Sequence, residues 1–408
     1  MTVTASHVPP TPRRRVLIGA YACGPVEESE AAAGWALATA AASLHDVTVI
    51  TRTRFRDAVT PALAADAELA ARMTVVYVDP PRWIMRLRQK LPGALYWFYP
   101  LWQGNLLREA RRLHASNPFQ VAHHVTFAND WLRCGLAALP KVPFVWGPVG
   151  GASKVPYLRL AQWLGVRGAL TEAARDALTA LPRAVWGGQA ARRAGVVVAQ
   201  NPDVARRFRR ARNVVVEPNA AIERTALPKR QPVDPERPLA VFAGRLLAWK
   251  GARLALTTIA QPQVSDWHLD VYGEGYELNA LRRLATELGV ADRVRFLGRV
   301  PRQEVLRAFA RADALLFPSM HDQAGWVAAE ASTLGLPVVC LALGGPATLA
   351  GRNAFVAASE GDIPANLARQ LVSARATGGV PHDRWSSDRL PALVTQWYET
   401  AIRAEEER

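Results

Sequence analysis

Cysteine is scarce in this chain, which has three in 408 residues: Cys23, Cys134 and Cys340. Their wide separation excludes the close cysteine pairs of metal sites, and their number excludes a disulfide-rich framework. We expect each thiol to pack as a small apolar side chain in a reducing compartment.

Long apolar runs are also missing. No stretch of about 18 apolar residues occurs, so the sequence predicts no membrane-spanning helix. The N-terminal residues contain Pro9, Pro10, Pro12 and the basic run Arg13–Arg15, without the apolar core of a signal peptide. We therefore predict a short disordered tail at residues 1–13 and a cytoplasmic protein.

Several catalytic motifs do not occur. The sequence has no Gly-x-Ser-x-Gly elbow, no Walker A sequence and no His/Cys/Asp cluster with the spacing of a zinc site. These absences argue against a serine hydrolase of that type, a P-loop nucleotidase and a zinc enzyme, and we expect no metal.

Acidic residues are too few to balance the basic ones: 35 Asp and Glu face 50 Lys and Arg, a formal charge of +15. The excess fits either a solvated Arg-rich surface or a partner that is anionic, such as a membrane or an acidic acceptor. No nucleic-acid-binding motif accompanies it, so nucleic acid is not an expected partner.

Residues 82–113 interleave aromatic and basic residues. Core packing of two helices is the favoured interpretation, with an acceptor groove or docking to an anionic membrane as alternatives.

Apolar strands alternate with helical segments along the whole chain, which predicts parallel sheets covered by helices. The alternation forms two blocks, residues 14–220 and 238–382, separated by a charged, Pro-containing linker at 221–237. Residues 383–408 form an amphipathic helix. The fold class is therefore α/β, with two Rossmann-like domains facing across a cleft that holds the ligand.

A strand-to-helix turn in the second block carries two cations. Gly244 and Arg245 follow an apolar strand, and Lys250 precedes the next helix. An Arg fork and a Lys point charge five residues apart across such a turn can converge on one diphosphate.

Two carboxylates lie further along the same block. Asp322 is in a polar loop with Gly325, and a helix that carries Glu330 follows. Carboxylates eight residues apart can both face a sugar nucleotide whose phosphates bind at the helix N-terminus.

Residues 244–251 and 313–346 together resemble retaining GT-B glycosyltransferases of the Glu-x7-Glu type, the glycosyltransferase family 4-like or "glycosyl transferases group 1" enzymes. The resemblance extends from Val16 to the terminal helix, which in that fold crosses back to the N-terminal domain. It implies that Arg245 and Lys250 bind the donor diphosphate and stabilise the departing phosphate. It also implies that Asp322, an Asp where the family has Glu, contacts the hexose, and that Glu330 holds the ribose.

The resemblance assigns further residues. It places Gly24, Gly273 and backbone groups at Arg299, Val300, Gly325 and Trp326 near the donor, together with Gly244. The family has a histidine beside the transferred sugar, and here the sequence offers His123 and His124 without deciding between them. No Asp-x-Asp occurs, the motif with which GT-A enzymes hold a divalent cation, so the resemblance implies a metal-independent enzyme without a cofactor.

The expected function is transfer of a hexosyl-type sugar from a nucleoside diphosphate sugar to a hydroxyl acceptor with retention at the anomeric carbon. The acceptor is a small molecule, such as a secondary metabolite, or a lipid-linked or envelope glycan. Alternatives are a phosphorylase or epimerase on the same fold and a non-catalytic sugar-nucleotide-binding protein. Peripheral contact with the inner face of a membrane is compatible with any of them.

Overall fold

The computed structural model of the protein describes residues 12–91, 93–234 and 236–408. The predicted tail, residues 1–13, lies outside these ranges except for its last two residues. Within the described part of the chain, no helix is both long and apolar enough to cross a membrane.

The first domain is built on a seven-stranded parallel sheet of order β3-β2-β1-β4-β5-β6-β7. Most of its strands are buried apolar runs, as expected where helices cover both faces. The strands are β1 (Arg15–Ala20), β2 (Asp46–Thr51), β3 (Met73–Tyr77), β4 (Val121–Thr126), β5 (Phe144–Val149), β6 (Val196–Ala199) and β7 (Val214–Val216).

Eight helices accompany this sheet among the described residues: α1 (Ser29–Ala42), α2 (Arg56–Ala65), α3 (Ala67–Arg72), α4 (Arg82–Lys90), α5 (Ala94–Ser116), α6 (Ala161–Pro182), α7 (Gly188–Arg193) and α8 (Pro202–Arg207). α5, α7 and α8 pack on one face of the sheet, and α1 packs on the other. A π-helical turn, Arg183–Gly187, joins α6 to α7.

The second domain has a six-stranded parallel sheet of order β10-β9-β8-β11-β12-β13. Its strands are β8 (Leu239–Ala243), β9 (His268–Tyr272), β10 (Val294–Gly298), β11 (Ala314–Phe317), β12 (Val338–Leu341) and β13 (Ala354–Ala357). Its helices are α9 (Ala252–Ile259), α10 (Leu278–Glu287), α11 (Arg302–Arg311), α12 (Trp326–Thr333), α13 (Pro346–Ala350) and α14 (Ile363–Thr377). The predicted α/β class, with two parallel sheets and covering helices, is confirmed.

The last helix, α15 (Leu390–Glu406), packs on the first domain. Its Val394, Trp397, Tyr398 and Ala401 are buried against the α1 face of the first sheet, because they form one apolar stripe at helical spacing. The chain thus crosses between the domains twice. At the crossing, the amide of Ile222 donates to the carbonyl of Trp385 at 2.8 Å.

The sequence predicts buried positions for the cysteines and core packing for residues 82–113. The three cysteines are free and buried, and burial raises the pKa of each thiol to about 12. The segment 82–113 divides in two: Phe98, Tyr99 and Trp102 are in the core, whereas Trp83 and Tyr96 are exposed. The favoured interpretation, core packing, therefore holds for α5 beyond its first turn.

Candidate functional site

A cavity of about 490 Å³ lies between the two domains. Its volume is within the range of about 300–1,000 Å³ typical of small-molecule sites. The first domain contributes Ser29, Glu30, Arg175, Gln200 and Asn219, and the second contributes Ala243, Gly244, Arg245, Trp249, Lys250, Phe317 and residues 321–327. Most of these residues follow the carboxyl ends of strands, where open α/β sheets bind ligands.

The position of Lys250 depends on a tight turn. Gly251, directly after it, has φ +80°, and a Cβ there would lie 2.1 Å from the carbonyl oxygen of Pro318. Only glycine allows this approach. The amide of Met320 also donates to the carbonyl of Trp249 at 2.8 Å, so the Lys250 turn and the loop after β11 are joined.

Asp322 lies within that loop. Both its carboxylate oxygens accept from Lys250 Nζ, at 2.8 and 2.7 Å, and the hydroxyl of Ser319 donates to Oδ2 at 2.8 Å. Gly344 has φ +66° and would bring a Cβ within 2.1 Å of the Asp322 carbonyl, so the second glycine-rich turn fixes the loop from behind. The structure therefore brings together two predicted residues that are 72 positions apart.

Arg245 is exposed to the cavity. Its guanidinium makes no hydrogen bond or ion pair with any residue that the structure describes, in contrast to Lys250. It is therefore available to bind an anionic ligand with its full fork of donors.

The N-terminus of α12 forms the wall beside Asp322. Gly325 caps the helix in the left-handed conformation, φ 85°, and both Gly325 and Trp326 line the cavity. The indole of Trp326 donates to Asn219 Oδ1 in the first domain at 2.9 Å. The free amides of the first helical turn thus lie where the predicted donor phosphates would bind.

Glu330 occupies a different environment from Asp322. It lies one turn further along α12, is buried, and accepts from Arg302 Nε at 2.5 Å. Burial raises the pKa of its carboxyl, and the Arg302 guanidinium opposes that effect. Glu330 does not line the cavity, so its carboxylate would have to leave Arg302 or share it to reach a ribose.

Four other residues that were predicted to bind the sugar-nucleotide donor lie outside the cavity wall: Gly24, Gly273, Arg299 and Val300. Gly24 packs against Phe55, and Gly273 lies behind the Gly244 turn, where the amide of Gly244 donates to the carbonyl of Tyr272 at 3.0 Å. Arg299 is exposed and Val300 packs on the core of the second domain.

Neither predicted histidine faces the cleft. His123 is fully buried: Nε2 donates to the Gly147 carbonyl at 2.8 Å, which leaves Nδ1 to accept from the Tyr398 hydroxyl at 3.1 Å. His124 Nε2 lies 3.3 Å from both the Tyr99 hydroxyl and the Phe127 carbonyl. Burial lowers the pKa of both imidazoles to about 4, so both are neutral. The expectation that one of them points at the ligand is corrected, because the strand turns both rings into the packed layers.

The cavity also contains residues that the sequence did not identify as a site. Glu30, in the first turn of α1, lines the wall without a hydrogen-bond or ion-pair partner among the described residues, and burial raises its pKa to about 7. Gln200 and Asn219 follow β6 and β7. Their position just after strand ends is the one signal that could have found them.

A polar cluster connects α6 to the second domain at the cavity. His321 Nδ1 lies 2.6 Å from Arg175 Nη1 and 2.8 Å from Glu172 Oε2, and Arg175 pairs with Glu172 at 2.7 Å. Nearby, Gln323 Oε1 accepts from the Gly151 amide at 2.7 Å. The loop after β11 is therefore held by both domains, and nothing local in the sequence indicated this.

Comparisons with known proteins match the second domain in sequence and the whole chain in structure. Residues 223–371 match the family model described as "Glycosyl transferases group 1". A 2-deoxystreptamine glucosyltransferase of Streptomyces kanamyceticus is 31% identical over 137 residues, which are 33% of this chain and 35% of that protein. The chain thus spans about a third of the length of this curated relative.

Solved structures resemble the chain over nearly its whole length. A sucrose-phosphate synthase of Thermosynechococcus elongatus has a TM-score of 0.57 at 16% identity, covering 97% of this chain and 94% of that one. HepE of Anabaena, solved in complex with UDP, has a TM-score of 0.56 at 16% identity, covering 95% and 100%. At these identities the likeness establishes the fold. The chain therefore has the GT-B fold, and residues 223–371 are similar to the group 1 glycosyl transferases.

Proposed function

We propose that the protein transfers a sugar from a nucleoside diphosphate sugar to a hydroxyl acceptor, with retention at the anomeric carbon. One observation carries the proposal: Arg245, Lys250 and Asp322 line the same wall of an interdomain cavity, beside the N-terminus of α12. This combination offers two cations and free amides to a diphosphate and a carboxylate to sugar hydroxyls.

The diphosphate would bind Arg245 first, because that guanidinium has no partner to give up. Lys250 would then exchange part of its contact with Asp322 for a phosphate oxygen, leaving the carboxylate free to accept from a hexose hydroxyl. As the sugar departs, negative charge accumulates on the leaving phosphate, and cations held in place stabilise it without reorganisation. The departing phosphate oxygen would help to deprotonate the acceptor hydroxyl on the same face of the sugar.

The acceptor would enter from the first domain, where Glu30, Gln200 and Asn219 line the cavity. A carboxyl and two amides suit an acceptor rich in hydroxyl or amino groups, whether free or attached to a lipid. The 2-deoxystreptamine glucosyltransferase and HepE, which was also solved in complex with UDP-glucose, suggest an aminocyclitol and UDP-glucose as the first compounds to test.

The proposal assigns charge neutralisation to Arg245 and Lys250, so it requires no divalent cation. Activity should therefore persist in excess EDTA.

Binding and transfer are tested in sequence. A panel of sugar nucleotides is screened by thermal shift, and those that bind are assayed for release of nucleoside diphosphate with and without acceptors. Acceptor-dependent release with the donor's anomeric configuration kept in the product, read by NMR, supports the proposal. Dependence on inorganic phosphate would instead indicate a phosphorylase, conversion of the donor sugar an epimerase, and binding without turnover a non-catalytic protein.

A further inference from the structure

The outer face of α6 is unusually apolar for a surface helix. Five large side chains along α6 and the π-helical turn are 50–79% exposed: Val166, Leu170, Leu178, Leu181 and Val185. Their spacing of four, eight, three and four residues places them on one stripe. The other exposed residues from 166 to 185 are alanines, a threonine and an arginine, with no exposed acid. Solvated helices carry polar residues on this side, so such a stripe indicates a partner.

A second exposed apolar group lies on α4 and the residue that follows it. Trp83, Leu87 and Leu91, each four residues apart, are exposed. Arg82, Arg86 and Lys90 repeat at the same spacing directly beside them, and each is exposed without an ion pair to any described residue. No Asp or Glu occurs between residues 80 and 108. This stretch therefore combines an apolar stripe with uncompensated positive charge.

Contacts of residues 130 and 131 connect the exposed apolar group on α4 with the one on α6. The ring of Tyr96, at the start of α5, stacks on Trp131 with 5.2 Å between centroids. The neighbouring Asp130 pairs with Arg183 at 2.6 Å, in the π-helical turn that ends the α6 stripe. The far end of the α6 stripe is thus connected to the beginning of α5, just after α4.

We propose that this surface, the basic apolar face, docks on an anionic lipid bilayer. The face consists of Trp83, Leu87, Leu91 and Tyr96, the five exposed residues of α6 and the π-helical turn, and the cations Arg82, Arg86 and Lys90. Apolar side chains and a tryptophan enter the interfacial layer while cations beside them bind anionic headgroups. A second copy of the same face would bring like charges together, so charge complementarity favours the bilayer over a symmetric dimer.

Docking in this way orients the cleft. α4 follows β3 and α6 follows β5, so both helices leave the sheet at the edge that also carries Glu30 in the cavity wall. Docking would therefore bring this edge of the first sheet, and the cavity wall on it, close to the membrane. The docking itself does not depend on sugar transfer, and it stands or falls separately from the proposed function.

The test is co-sedimentation of the full chain with vesicles of phosphatidylcholine alone or with 30% phosphatidylglycerol, at low and high salt. Binding to the anionic vesicles that weakens with salt is the expected result. The variant Arg82→Gln/Arg86→Gln/Lys90→Gln should bind about 100-fold more weakly at low salt, since each cation at an anionic surface contributes about a factor of five. A matched variant, Arg209→Gln/Arg282→Gln/Arg283→Gln, removes three exposed cations elsewhere and should bind like the wild type.

The apolar part is tested by Leu170→Ser/Leu178→Ser, which should weaken vesicle binding at both salt concentrations. Hydrogen exchange of the wild type needs no variant: vesicles should protect residues 82–91 and 166–185. Absence of vesicle binding, equal loss in the matched variant, or protection confined to other segments would overturn the proposal. A dimer that Leu170→Ser/Leu178→Ser converts to monomer, with no vesicle binding in either form, would assign the stripe to self-association instead.

Discussion

The ammonium of Lys250 is held by both carboxylate oxygens of Asp322, at 2.8 and 2.7 Å, across the wall of the interdomain cavity. Both side chains are mostly shielded from solvent, 15% exposed each, so the pair is stronger than a surface ion pair. An anionic ligand must therefore compete with Asp322 for Lys250. The carboxylate controls how much positive charge the cavity offers before a donor arrives.

This competition gives the first prediction. Asp322→Asn should bind free UDP about 10-fold more tightly than the wild type, because the amide no longer neutralises Lys250, and hydrogen bonds to charged groups contribute about 1.5–3 kcal/mol. The same variant should lose at least about 100-fold in turnover, since the sugar loses its carboxylate contact. Calorimetry with UDP and initial rates with a donor–acceptor pair measure the two effects. Asp292→Asn, at an exposed acid, is the control, and weaker UDP binding by Asp322→Asn would contradict the competition.

The second prediction separates the two cations from simple donor binding. Arg245→Ala and Lys250→Ala should each lower turnover by about 100- to 1,000-fold while changing the dissociation constant of the donor much less, because charge on the phosphate peaks in the transition state. Pre-steady-state rates and equilibrium titration of the donor provide the comparison. Equal losses in turnover and affinity would show that the cations only hold the donor.

The sequence alone identified those site residues that belong to local motifs. Arg245, Lys250, Asp322, Gly325 and Trp326 all follow strands made of continuous apolar runs, and such strands are readily recognised. Parallel topology then brings their carboxyl ends to one edge. The same reasoning produced the two sheets and the covering helices.

Contacts between distant segments could not be predicted in this way. The Glu330–Arg302 pair joins two helices, and nothing in either helix pattern distinguishes Arg302 from other exposed arginines. Arg175 reaches the cavity from α6 because that helix packs across to the second domain. The histidines were misplaced because a residue near a strand's carboxyl end can point into either packed layer as well as past the edge.

A third prediction concerns the pH dependence of Glu30. Burial raises the pKa of the Glu30 carboxyl from 4.5 to about 7. Between pH 4.5 and pH 7 the folded protein therefore keeps a proton on Glu30 that the unfolded chain has already released. Stability contributed by this group therefore falls as the pH rises from about 4.5 to 7. Glu30→Gln removes the ionisation. The Tm of this variant relative to that of the wild type should therefore rise by about 3 °C or more as the pH increases from 5 to 8. Scanning calorimetry across this range measures the difference. Glu27→Gln, at an exposed position nearby, should follow the wild type, and parallel curves for Glu30→Gln and wild type would contradict the raised pKa.

The last prediction decides between a structural and a catalytic role for His123. The resemblance to retaining glycosyltransferases assigns this region a sugar contact, whereas in the structure the ring joins the Gly147 carbonyl to the Tyr398 hydroxyl of α15. His123→Leu keeps the side chain's approximate volume and leaves both partners unpaired, so we expect a loss of about 2–4 kcal/mol and a fall in Tm of about 5–10 °C. Tyr398→Phe removes one of the two bonds and should cost about 1 kcal/mol. Turnover of the folded fraction, measured well below the transition, should stay within about threefold of the wild type in both variants. An unchanged Tm with a turnover lowered more than about 100-fold in His123→Leu would instead place the imidazole at the reacting sugar, and the cleft would then have to rearrange when the donor binds.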